Sequence, residues 1–272
     1  MKKILLPVLL LVTGCTSGPI QVNFPMNRLE SPEAEGKLLS GRVHGGHRSV
    51  ENDNLTADYA VNPVGQSAPT FSSVATRGYG AGIGLLDRLD FNLKENADAP
   101  TLYELKFQII GATTEDAHKG NFSVSITGGY GEQGDSGSAN GGPITVADNG
   151  TINLLGATAG YQLTSKVYDF GVVAGLRPIE DLLFYAGVSE TIIHYSGSQT
   201  LYTQQIVPFS GSAKQILGHV GTIYYIDTHQ KARVGSLTIE PYLQGELAFA
   251  KIADGSTNGT NVNGALNFGI VW

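Results

Sequence analysis

The chain has one cysteine, one tryptophan and two methionines in 272 residues. With Cys15 alone, no disulfide can form within the chain, whatever the redox state of its compartment. Charged residues are scarce at 15%, and the formal net charge is −7. That balance speaks against a nucleic-acid partner, which needs a basic face. No apolar run approaches the roughly 18–20 residues of a membrane-spanning helix. What is present is glycine, 36 of them, and 41% hydrophobic residues dispersed without long runs. Dispersed apolar residues point to alternation, the pattern of strands.

The longest apolar stretch is at the N-terminus. Lys2-Lys3 precede Ile4 to Val12, and Val12-Thr13-Gly14-Cys15 ends the run. A basic start, a short apolar core and small residues at a cleavage point make an export signal, not a membrane span. The Val-Thr-Gly-Cys end resembles the lipobox of bacterial lipoproteins. The resemblance implies a signal peptide over 1–14 and lipidation of Cys15. Thr16 stands where an Asp would imply retention at the inner membrane, so outer-membrane sorting is implied. Ile20 to Gly36 has Pro, Asn and Glu and no period. It reads as a tether, giving 15–36 as lipidated cysteine plus tether and 37–272 as the folded body.

From about Lys37 the period becomes two. Leu89, Phe91 and Leu93 alternate with Asp90, Asn92 and Lys94. Tyr103, Leu105, Phe107 and Ile109 alternate with Glu104, Lys106 and Gln108. Phe122, Val124 and Ile126 alternate with serines and Thr127. Leu243, Leu247 and Phe249 alternate with Gln244 and Glu246, and the chain ends on Leu266, Phe268, Ile270 and Trp272. Weaker strands are expected over 37–47, 74–85, 151–163, 167–177, 182–196 and 213–226. Long polar connectors are expected over 48–73, 131–150, 197–212 and 252–260. The count is eleven, whereas a single-chain bacterial barrel needs an even number. Either Thr200–Phe209 is a twelfth strand or one weak element is spurious. A parity change after Ser189 puts Ile193 and Tyr195 opposite Phe184 and Val188, which predicts a β-bulge over Ser189–Thr191.

Alternation fits a soluble sandwich or a membrane barrel. Strands of 10–15 residues suit the 9–11 needed to cross a bilayer obliquely, and sandwich strands are shorter. Tyrosines at or near strand ends (Tyr79, Tyr103, Tyr130, Tyr161, Tyr168, Tyr195) suit interfacial girdles. The ending Leu266, Phe268, Ile270, Trp272 resembles the C-terminal signal by which outer-membrane barrels are recognised for insertion, with Trp for the more usual Phe. The segment Gly82–Leu93 looks like a hairpin of such barrels. The expected fold is therefore all-β, an antiparallel up-and-down transmembrane barrel of about 10–12 strands, in the bacterial outer membrane with a lipid-anchored N-terminus. Leu105, Phe107, Leu243, Leu247 and Phe268 should face lipid. Asp90, Asn92, Lys94, Glu104, Lys106, Gln108, Glu240, Gln244 and Glu246 should face the lumen, with Asp169, Arg177, Asn263 and Asn267. Arg at Gln108 or Gln244 should then cost far less than Arg on the lipid face.

Catalytic motifs are weak. Gly134-Asp135-Ser136-Gly137-Ser138 resembles the nucleophile loop of trypsin-like proteases, but no matching histidine segment is present. His44 and His47, three apart on a strand, face opposite sides. Glu190, His194 and Ser196 share a strand and would mimic a barrel hydrolase only without the bulge. The expectation is no enzyme, no cofactor and no metal. The expected role is a small channel or transport component for small solutes. The alternatives are a structural or interaction scaffold of an envelope assembly, and a soluble lipoprotein β-barrel that binds an apolar ligand. Expected partners are outer-membrane lipids, the barrel-assembly and lipoprotein-sorting machineries, and envelope proteins.

Overall fold

A computed structural model describes residues 21–54, 72–96, 99–137, 145–146, 152–153, 158–201, 206–226, 232–234, 237–254 and 257–272. The strands are β1 (Gln21–Pro25), β2 (Gly41–Asn54), β3 (Ser72–Leu86), β4 (Leu89–Asn96), β5 (Ala99–Ile110), β6 (Phe122–Gly137), β7 (Thr145–Val146), β8 (Ile152–Asn153), β9 (Thr158–Ile179), β10 (Leu182–Leu201), β11 (Ile206–Tyr225), β12 (Ala232–Val234), β13 (Leu237–Asp254) and β14 (Thr257–Val271). Ten of them close an antiparallel barrel in the order β2-β3-β4-β5-β6-β9-β10-β11-β13-β14, and β14 pairs back with β2. β7 and β8 pair only with each other, and β12 adds to the start of β13. The closing seam is short, with Leu266–Val271 of β14 paired to Arg42–His47 of β2.

The two ends of the barrel differ. One end, the turn end, carries 87–88, 180–181, the folded segment 111–121 and the β11–β13 connection, together with Gly41 and Trp272. At the other, the loop end, lie the last residues of β2, β4, β6, β10 and β13.

Near the turn end the outward face is apolar. Along β6 it shows Phe122, Val124, Ile126, Gly128 and Tyr130; along β9, Leu176, Ala174, Val172, Phe170 and Tyr168. Nine strand residues tilted about 40° cover roughly 20–25 Å, the height of a lipid-facing band. Tyr79, Tyr103, Tyr130 and Tyr168 close this belt toward the loop end, Tyr130 and Tyr168 edge-on at 5.5 Å. Such amphipathic rings suit the headgroup level. Leu105, Phe107, Leu243, Leu247 and Phe268 all lie on the belt, exposed.

Above the tyrosines the polarity inverts. The outward positions become Glu132, Lys166, Thr164 and Gln162, and the inward ones Val167, Leu163, Ile193, Tyr195, Phe209 and Ile252. Val22 and Phe24 of β1 complete this apolar core. The strands thus run past the apolar belt into a short upper barrel with a polar outside and an apolar interior, and Tyr195, with Tyr161 packed beside it, lies in that interior rather than in a girdle.

This inversion accounts for the misplaced sequence boundaries. β9 is one strand of 22 residues, so the expected strand 167–177 joins the expected 151–163 from Thr158 onward and Thr164-Ser165-Lys166 is not a turn, while Ile152–Asn153 forms the separate β8. Thr200–Phe209 supplies the ends of β10 and β11 rather than a twelfth strand. The expected bulge over Ser189–Thr191 is absent: β10 pairs with both neighbours without a shift from Phe184 to Thr200. Ile193 and Tyr195 keep parity with Leu183 and Tyr185; only the surroundings of the two faces change.

Candidate functional site

The lumen of the lower barrel is not empty. Residues 22–36, expected as a solvent tether, run down the barrel axis and are buried throughout, apart from a half-buried Asn23. The physical reason is that many polar groups of the segment meet partners on the wall. Backbone groups come first. Arg28 N and Leu29 N both donate to the Glu246 carboxylate at 2.8 Å. Leu29 adopts φ 50, and this left-handed turn aims the two successive N–H groups at one anion. Ala34 N donates to Gln108 Oε1 at 2.7 Å, and Glu35 N to Asp90. Lys106 Nζ donates to the carbonyls of Ser31 and Glu33, and Ser125 Oγ to that of Pro32.

The side chains interlock in two clusters. Around the middle, Arg28 pairs with Asp169, with Glu104 at 3.4 Å and with Glu30 at 3.1 Å. Lys94 bridges Glu30 at 2.5 Å and Glu104 at 2.8 Å, and Asn92 Nδ2 donates to Glu104. Thr191 donates to Asp169 at 2.7 Å. Nearer the turn end, the Arg177 guanidinium grips both Glu33 oxygens, with a further donation from Asn121 Nδ2. Arg177 also stacks over the Tyr225 ring at 4.4 Å. Arg42 pairs with Glu35, and Lys106 with Asp90 at 2.8 Å. Among the described residues, six basic and seven acidic side chains are buried, so the filled lumen is close to neutral. Buried ions need such pairing, because an unpaired one costs several kcal/mol.

Glycine makes room for the segment. A Cβ on Gly175 would stand 2.6 Å from Pro32, and one on Gly80 only 2.1 Å from His44. His44 points inward and its Nδ1 lies 2.9 Å from Tyr242 Oη, whereas His47 faces outward.

The nine polar residues read as lumen-facing all point inward. Asp90, Lys94, Glu104, Lys106, Gln108, Gln244 and Glu246 are buried, and Asn92 and Glu240 are half-buried. Seven of the nine bond to the segment or to one another; Gln244 Nε2 donates to Tyr185 Oη and Glu240 lines the turn-end mouth. The expectation that Arg is cheap at Gln108 or Gln244 fails on this geometry. Both are fully buried, and Gln108 Nε2 already donates to the carbonyls of Ile110 and Ala112. Asp169, Arg177 and Asn267 are buried inside, and Asn263 Nδ2 lies 2.9 Å from Met26 Sδ.

At the C-terminus, Leu266 and Phe268 are exposed on the belt and Ile270 is half-buried on the same face. Trp272 exchanges backbone hydrogen bonds with Gly41, and its indole Nε1 donates to Leu39 O at 3.1 Å. Glu190, His194 and Ser196 lie together on the outer face of β10, but Glu190 pairs with Lys214 at 2.5 Å and His194 packs on Tyr168. Cys15 and Ser138 lie outside the described residues.

Sequence reasoning missed Arg28, Glu30, Glu33 and Glu35. The available signal was slight. Three glutamates spaced through a segment that also holds Met26 and Leu29 are more amphipathic than a solvent tether needs.

No protein-family model matches the chain, and no curated protein is similar to it in sequence. Among solved structures it is similar to the outer membrane protease OmpT from Escherichia coli, at 13% identity and TM-score 0.39, over 94% of this chain and 95% of that one. It is also similar to the copper transporter OprC, at 11% identity and TM-score 0.28, over 89% of this chain and 43% of that one. The fold is an all-β, ten-stranded closed antiparallel barrel.

Proposed function

We propose that this protein is an outer-membrane barrel held shut by its own N-terminal segment, anchored by a lipid on Cys15, and used as a scaffold that presents its loop end to envelope partners. The observation that carries the reading is the occupied lumen. Met26 to Gly36 are buried, and Arg28, Glu33 and the Glu246 contacts fix the segment at three levels. A small-solute channel would need that segment to leave, breaking two ion clusters at several kcal/mol each. The apolar outer belt supports membrane residence over a soluble ligand-binding barrel, since an apolar band of that height in water invites aggregation. The lipobox-like end supports lipidation and export by the lipoprotein-sorting route, and the alternating C-terminus supports insertion by the barrel-assembly machinery.

Planar-bilayer recording tests the reading. The full chain should give no steady conductance. Glu33→Arg, which sets a cation against Arg177, should give intermittent openings. Stable, ohmic steps from the unaltered chain would favour the channel instead.

A further inference from the structure

The N-terminus and the C-terminus of the described chain lie at opposite ends of the barrel. Gln21 pairs with Asn54 and Val22 with Asp53, at the loop end. Trp272 pairs with Gly41 at the turn end. An even number of barrel strands returns the first and last to one end, so Gly41 and Trp272 meet. The segment inside the lumen adds one more crossing, which carries Gln21 to the far side. Its contacts are ordered along the axis. Met26 N bonds to Ser49 O, Arg28 reaches mid-lumen Asp169, and Glu35 N reaches Asp90 near the turn end. The wall is built for this exit. β2 pairs with β14 only from Arg42 to His47, and above that point its edge is taken by β1 from Val50 to Asn54.

We propose that the chain is threaded through its own barrel, so that a lipid on Cys15 is seated in the outer leaflet, at the cell surface, and not in the periplasmic leaflet. This rests on the reading above of a lipidated outer-membrane barrel with its turn end toward the periplasm, the usual sense of such barrels. Chain length decides between the leaflets. Cys15 stands six positions before Gln21, a span of at most about 20 Å. The belt ends on β2 near His47, which pairs with Arg77, one outward position beyond Tyr79. The seven residues from His47 to Asn54 raise Gln21 roughly 18 Å above that level. The outer leaflet is therefore just within reach. The periplasmic leaflet lies about 25 Å further, beyond twice the available length. Threading also fixes an order of assembly, because residues before Gln21 must pass before the six-pair seam between β2 and β14 closes.

The test places an epitope between Gly18 and Pro19 in the full chain. Two reference epitopes sit within 138–144 and after Lys119, on the loop and turn ends. Antibody labelling of intact cells is compared with labelling after outer-membrane permeabilisation. A clickable fatty-acid label, with Cys15→Ala as control, reports acylation separately. The N-terminal epitope should label in intact cells, together with the 138–144 epitope and unlike the one after Lys119. Labelling of the N-terminal epitope only after permeabilisation, with the one after Lys119, would overturn the proposal even if Cys15 carries acyl label. Labelling in intact cells without acyl label would retain the threaded path and remove the lipid, overturning the anchor alone. Intact-cell labelling after Lys119 but not within 138–144 would reverse the barrel and overturn the outer-leaflet assignment.

Discussion

The lower and upper halves of the barrel use the same strands and the same parity with opposite chemistry. On β10, Phe184, Ala186 and Val188 face outward below the tyrosine level, and His194 and Ser196 face outward above it. Inward, the β9 positions Asp169 and Arg177 give way to Leu163 and Val167. Below, the outer face is an apolar belt and the lumen must satisfy charge. Above, water takes the charge and the lumen becomes a hydrophobic core. A single chain segment, 22–36, answers both requirements: Val22 and Phe24 enter the upper core, and Arg28, Glu30, Glu33 and Glu35 complete the lower ion clusters. An alternating strand therefore specifies which residues share a face, and the surrounding medium specifies which face is the inside.

The largest effect that sharpens this contrast is expected at Arg28. Arg28→Ala takes the cation from Asp169 and leaves Glu104 to Lys94 alone, and should cost about 3–5 kcal/mol, read as the loss in urea-unfolding stability of the detergent-folded protein. A loss below about 1 kcal/mol would mean that water fills the lower lumen. The outer face comes next. Val172→Arg, within the belt, should cost about 2–4 kcal/mol in a bilayer, whereas Gln162→Arg, outward on the same strand but above the tyrosines, should stay within about 0.5 kcal/mol. Equal costs would remove the boundary between the halves. A smaller difference is expected in the upper core, where Ile193→Val should cost about 0.5–1.5 kcal/mol while Ile192→Val, half-buried on the other face, costs less. The smallest effect concerns Trp272. Trp272→Phe removes the indole bond to Leu39 O and should cost about 0.5–1.5 kcal/mol, with lower yield of inserted protein in cells and folding in detergent nearly unchanged. Unchanged insertion of a chain lacking Trp272 would remove its assembly role.

Much of the lower half was legible because lipid and lumen impose the cleanest alternation. Leu105, Phe107 and Glu104 declared their faces, and so did Gln244 and Leu247. The upper half was not, for a physical reason. Polar outward residues such as Thr164 and Lys166 beside inward Leu163 and Val167 read as a turn when the apolar face is assumed to stay on the outside. The same assumption turned the change at Ile193 into a bulge. Strand ends such as Ser196–Leu201 and Glu132–Gly137 looked like loops because their composition is that of a solvated surface. The lumen segment was the least legible part. It has neither period, and many of its polar groups are met by side chains from distant strands, Asp90 55 residues and Glu246 218 residues away in sequence. Cys15 and the lipid expected on it lie beyond the described residues.

The central claim is that residues 22–36 occupy the lumen of the folded barrel. Ser125 Oγ lies 2.6 Å from the Pro32 carbonyl, on the inner face of β6. In a full-length Cys15→Ala chain, a single cysteine introduced by Pro32→Cys should stay closed to a membrane-impermeant maleimide while the barrel is folded and react once it is unfolded in denaturant. A folded barrel in which the thiol at position 32 is open to the maleimide would contradict the account.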